Sequence, residues 1–71
     1  MVSKNSMKII EYLKENNGAT AAEISEALGI QKRLVDSYFS AAVIQNDLGY
    51  RNEETPAKLI LNDKGLAFSN E

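Results

Sequence analysis

Lys32, Arg33, Asp36, Ser37 and Ser40 recur at intervals that a 3.6-residue helix gathers along one side. Gln31 stands just ahead of them. Together they offer two cations, a carboxylate, two hydroxyls and an amide: groups that donate and accept hydrogen bonds and carry charge. The rest of the chain supplies little for covalent chemistry. It has no cysteine and no histidine, so the common general base, the thiol nucleophile and the usual zinc ligands are missing. The segment "GATAAE" lacks the lysine and the spacing of a phosphate-binding loop. Carboxylates occur as loop neighbours or along exposed helix sides, and so short a chain has little room for a deep pocket. The expectation is a binding protein, not an enzyme, with no cofactor and no metal. The plain alternative for the same residues is a polar helix side facing water.

Seventy-one residues make one domain, spanning 1–71, with a small core. Apolar residues are 44% of the chain, enough to fold, and no run approaches the roughly 20 residues of a membrane span. The start, Met1 to Ser6, has no apolar core of the signal-peptide kind. A cysteine-free chain without a targeting segment fits the cytoplasm. Met1 and the polar ending Ser69-Asn70-Glu71 read as the ends of a complete chain. Net charge is −2, with eight cations against ten acids and a pI near 5.1. Binding a polyanion therefore requires a local basic face, because the overall balance is acidic.

The elements that position the polar set follow from periodicity. Residues 6–16 read as a first helix with Met7, Ile9, Ile10 and Leu13 inward, capped by Asn5 or Ser6. The charges on its outer side, Lys8, Glu11, Lys14 and Glu15, read as a solvated face, and Lys4 and Lys8 form no basic patch. Asn16-Asn17-Gly18 stops it. Thr20-Ala21-Ala22-Glu23 is a capping box for a second helix over 20–28, with Ile24, Ala27 and Leu28 inward. Gly18-Ala19-Thr20 allows one short edge strand. Gly29 ends the second helix, and Ile30 plugs the angle before a third helix over 31–45. Its inward residues are Leu34 in part, Val35, Tyr38 or Phe39, Ala42 and Val43. Asn46-Asp47 stops it, with Asn46 suited to the left-handed position. The period then changes to two: 48–61 reads as a hairpin with a loop of four or five residues around Pro56, its inner face built from Leu48, Tyr50, Leu59 and Leu61. Asn62 caps a last helical turn or two.

Helix, short strand, helix, glycine turn, helix and hairpin, in that order, resemble the winged helix-turn-helix family of small prokaryotic or phage-type DNA-binding domains. Two segments carry the resemblance: "ATAAEISEALGIQKRLVDSYF", with Ala27, Gly29, Ile30 and Val35 at the usual spacing, and "LILNDKGLAF", like the strand-and-glycine ending after the wing. The resemblance implies an α+β fold, mainly α: three helices, a β-hairpin wing and a short C-terminal helical turn. The chain departs from the pattern at Asn62, where the family has threonine, at Gln31, a weak cap for the third helix, and at the wing tip, which carries Glu53 and Glu54 where DNA-binding wings are basic.

The resemblance also implies sequence-specific binding of double-stranded DNA, as in a small transcriptional regulator. The start of the third helix enters the major groove in such proteins, which assigns Lys32, Arg33, Asp36, Ser37 and Ser40 to the groove, with Gln31 and Ser37 meeting phosphates or bases. Arg33 would fork onto guanine and Asp36 accept from cytosine. Thr20 would bring the start of the second helix to a phosphate, and Arg51 and Lys58 would flank the DNA backbone from the wing. A homodimer on two half-sites is one possible assembly, with Val2 and Phe68 as spare apolar contacts. The alternative is a protein-interaction module using the same fold, its acidic wing meeting a basic partner. Tyr12, Tyr38 and Tyr50 are too far apart in sequence to suggest a stacking platform, and read as core or rim residues.

Overall fold

The computed structural model describes residues 2–69; Met1, Asn70 and Glu71, and with them the reading of the chain ends, lie outside the described residues. The fold is α+β and mainly helical. Helix α1 spans Lys4–Glu15, α2 Ala21–Leu28 and α3 Lys32–Phe39. The last continues without a break into a π-helical stretch, Ser40–Ile44. Strands β1 (Gly49–Arg51) and β2 (Leu59–Leu61) form the antiparallel wing, and α4 (Asp63–Leu66) closes the described chain. Among the described residues no helix is long and apolar enough to cross a membrane.

Helix α1 begins two residues earlier than its apolar stripe requires, because Ser3 caps it. The Ser3 hydroxyl accepts the Ser6 N–H at 3.2 Å and donates to the Ser6 hydroxyl at 3.0 Å. Neither Asn5 nor Ser6 is the cap: the Asn5 amide donates to the Tyr38 hydroxyl, and Ser6 is buried. Ile9, Ile10 and Leu13 are fully buried and form the middle of the core, joined by Ile24, Val35, Phe39, Val43 and Leu59. In α2 the inward residues are Ala21 and Ile24, while Ala27, expected inside, is exposed. Gly29 takes φ +69°, a left-handed conformation that costs residues with a Cβ about 1–2 kcal/mol. The Gly29 N–H closes on the Ser25 carbonyl, and Ile30 follows, half-buried against the core.

The third helix ends in a wide turn in which the Gln45 N–H reaches the Ser40 carbonyl, five residues back. Asp47 (φ 58°), not Asn46, then takes the left-handed position, and the Asn46 amide donates to the Ala42 carbonyl at 2.7 Å. The left-handed position is thus one residue later than expected, and in β1 it is Gly49 and Arg51 that share a face with Leu61 and Leu59. Gly49 pairs with Leu61, Tyr50 with Ile60 and Arg51 with Leu59. Leu48, Leu59 and Leu61 are buried as expected, but Tyr50 is 52% exposed on the outer face, and Arg51 takes the inward place. The loop between the strands covers seven residues, 52–58, longer than the expected four or five.

Strand β2 is the middle of the small sheet. Beyond it lies the 17–20 segment: the Gly18 N–H donates to the Leu59 carbonyl, the Leu59 N–H to the Ala19 carbonyl, and Thr20 bridges Lys58. The Asn17 side-chain amide completes the edge, donating to the Leu61 carbonyl and accepting the Leu61 N–H at 2.8 Å. Asn62 caps α4 through the Gly65 N–H. At Gly65 a Cβ would stand 2.1 Å from the Leu48 carbonyl oxygen, so the glycine of "NDKGL" is required by close approach of backbone to backbone.

Candidate nucleic-acid interface

The capping box and Gly29 set the angle at which α3 leaves the body of the protein, and its packing decides which side chains remain outside. Val35 and Phe39 are buried, which leaves Gln31, Lys32, Arg33, Leu34 and Ser37 exposed at the front of α3. Gln31 occupies the N-cap position but makes no side-chain cap bond. Among the described residues, the side chains of Gln31, Lys32, Arg33 and Ser37 have no hydrogen-bond or ion-pair partner. Leu34, 38% exposed, puts an apolar surface between them.

Asp36, Ser40 and Arg51 are arranged differently. Arg51 projects inward from β1 across the back of α3. Its Nη2 donates to the Asp36 backbone carbonyl at 2.9 Å and to the Ser40 hydroxyl at 2.8 Å. Its Nε lies 3.6 Å from Asp36 Oδ1. The guanidinium carbon sits 5.4 Å from the centre of the Phe39 ring, a cation–π distance. Three of the nine sequence-assigned residues thus bind one another and fix the wing to the third helix. Nothing local in the sequence marks this, since the partners are 11 and 15 residues apart.

Thr20 and Lys58 sit side by side at the other edge of the sheet through their isolated bridge. The Thr20 hydroxyl accepts the Glu23 N–H, and the Thr20 N–H donates to Glu23 Oε1 at 3.1 Å. A carboxylate therefore already meets the start of α2, where an incoming phosphate would otherwise be received. Lys58 is exposed and lies 3.9 Å from Glu54. The wing loop is organised by Asn52, whose side-chain oxygen accepts the N–H groups of Glu54 and Lys58. Glu53 and Glu54 remain exposed at its tip. The free positive charge of this face is therefore at the front of α3, and the wing tip is acidic.

Residues 2–39, just over half of the chain, match the winged helix-turn-helix DNA-binding family. The match takes in α1, α2 and α3 and ends before the wing. The chain is also 36% identical, over 67 residues, to the phenylalanine–tRNA ligase alpha subunit of Sulfurisphaera tokodaii. That alignment covers 92% of this chain and 14% of the relative, so the chain spans about one seventh of the length of that protein. No solved structure matches. With the glycine turn, the exposed front of α3 and the paired wing in place, the chain belongs to the winged helix-turn-helix DNA-binding family.

Proposed function

We propose that the chain is a small transcriptional regulator that binds double-stranded DNA in a sequence-dependent way through the front of α3. The observation that carries this reading is the cluster of Lys32, Arg33, Leu34 and Ser37, exposed together and, among the described residues, not spent on internal bonds. A helix start of this kind fits the major groove. Arg33 is suited to the guanine edge, Ser37 to a base or phosphate, Leu34 to a thymine methyl and Lys32 to a phosphate. Asp36 keeps a base-reading role only to the extent that it tolerates Arg51 beside it. Arg51 acts from behind, holding the wing, and Lys58 contributes a phosphate contact from the sheet edge. The reaction-free inventory of side chains supports binding without catalysis. In this reading the site works in the cytoplasm.

Two observations favour competitors worth testing side by side. The tRNA ligase relative raises duplex RNA as a ligand. A-form RNA closes its major groove to side chains, so an RNA contact through α3 would be made to phosphates and would be indifferent to sequence. The exposed Glu53 and Glu54 raise a protein partner with a basic surface.

The test is selection from a random duplex pool at low salt, followed by fluorescence anisotropy on the winning sequence, its scrambled form and its RNA equivalent. The reading expects preference for the selected DNA, affinity falling linearly with salt on logarithmic axes, and a loss of roughly 5- to 150-fold with Arg33→Ala. No retention of any duplex at micromolar protein would overturn it. Retention insensitive to sequence, equal for RNA and DNA, would replace it with the RNA reading, and Glu53→Lys/Glu54→Lys abolishing capture of a stoichiometric protein partner would favour the third.

A further inference from the structure

Along the outer edge of the packing between α1 and α2 runs an open groove, with Ala27 and Leu28 forming its α2 wall. Its α1 wall carries Lys4, Met7, Lys8, Glu11, Tyr12 and Glu15. The four charged residues are exposed, and Met7 and Tyr12 are half-buried. The order of these residues is self-complementary. Lys4 and Glu15, Met7 and Tyr12, and Lys8 and Glu11 each stand symmetrically about the midpoint between Ile9 and Ile10. The cations occupy the first half of the helix and the acids the second. A second α1 laid antiparallel across the first, on a two-fold axis through that midpoint, would therefore meet it with every charge opposed by its opposite and each methionine against a tyrosine.

We propose that this face of α1 is a homodimer interface whose occupant is the α1 of a second copy of the chain. An isologous contact must be complementary to itself, and few arrangements of charges along a helix are. The groups are also available. Among the described residues, Lys4, Lys8 and Glu15 have no ion-pair partner, and Glu11 has only the i,i+3 contact with Lys14 at 3.5 Å. The two other apolar residues free to make such a contact on sequence grounds, Val2 and Phe68, pack instead against their own core. Twelve residues of helix extend only about 18 Å, so the contact is small and the dimer dissociates reversibly. Opposed exposed charges also make it sensitive to salt. Met7 against the partner's Tyr12 adds apolar and sulfur–aromatic contact at its centre. The proposal does not depend on what α3 binds.

Sedimentation equilibrium of the protein at low salt, from micromolar to millimolar concentration, tests it. The expected result is a reversible monomer–dimer equilibrium that weakens as salt is raised. Lys8→Glu sets like charges opposite each other and should raise the dissociation constant about tenfold or more. The exchange Lys8→Glu/Glu11→Lys restores the opposition and should recover the dimer. In a mixing experiment, Lys4→Glu/Lys8→Glu and Glu11→Lys/Glu15→Lys should each stay monomeric alone and associate one to one when combined. These are exposed helix positions, so circular dichroism should be unchanged for each variant. A wild-type protein that stays monomeric throughout, or variants that dimerise as well as wild type, would overturn the proposal.

Discussion

The front and the back of α3 are built from similar side chains and used in opposite ways. At the front, Lys32, Arg33 and Ser37 stand exposed with no partner among the described residues. At the back, Asp36 and Ser40 hold Arg51, which lies over Phe39 and carries β1 with it. A polar residue on a helix is thus not automatically a contact residue. What separates the two groups is whether another element of the same chain arrives to satisfy them. The hairpin reaches only the back, so the front is left for a ligand, and the wing's position relative to that ligand is fixed in advance.

Breaking the two sides separately should give different signatures. The largest effect belongs beneath the back: Phe39→Ala removes a fully buried ring and the surface on which Arg51 rests. It should cost about 3–5 kcal/mol in denaturant unfolding, enough to unfold a domain this small. At the front, Arg33→Ala should leave stability within about 0.5 kcal/mol yet cost about 1–3 kcal/mol of affinity for a guanine-containing site. Arg51→Ala should do the reverse in part. It should cost about 1–2 kcal/mol of stability through the lost bonds to Asp36 and Ser40. Hydrogen exchange of the β1 amides should quicken with it while those of α1 hold. An Arg51→Ala protein as stable as wild type, with β1 unchanged, would erase the distinction between the two sides. Thr20→Ala, which unmakes the capping box, should cost about 1 kcal/mol in the same unfolding measurement. Smallest is Lys32→Ala, which should reduce the slope of log affinity against log salt by about one unit.

The parts of this structure that were legible in the sequence are those specified by neighbours in the chain. The Thr20–Glu23 capping box and the Gly29 turn depend on residues four or fewer apart, and the burial of Ile24, Val35 and Leu59 follows from period. The sequence misleads where a side chain answers to a partner that its immediate neighbours do not reveal. Asn46 looked suited to the left-handed stop, but its amide bonds the Ala42 carbonyl, and Asp47 takes the position instead. In β1, Gly49 and Arg51 pair with the buried Leu61 and Leu59, which turns Tyr50 out and Arg51 in. Arg51, placed by sequence resemblance on the DNA backbone, therefore faces α3, and Asp36 and Ser40 are occupied by it. Gly65 was visible as part of a family-like ending, but its reason, the Leu48 carbonyl pressed against it, belongs to tertiary structure.

Backbone amide shifts of the labelled protein, followed by NMR as generic duplex DNA is added at low salt, test the central claim most directly. The front of α3 should respond first and furthest, from Gln31 to Ser37, with smaller changes at Lys58 and little at Tyr50 or along α1. Shifts concentrated on the wing tip around Glu53, or spread over α1 with α3 silent, would contradict it.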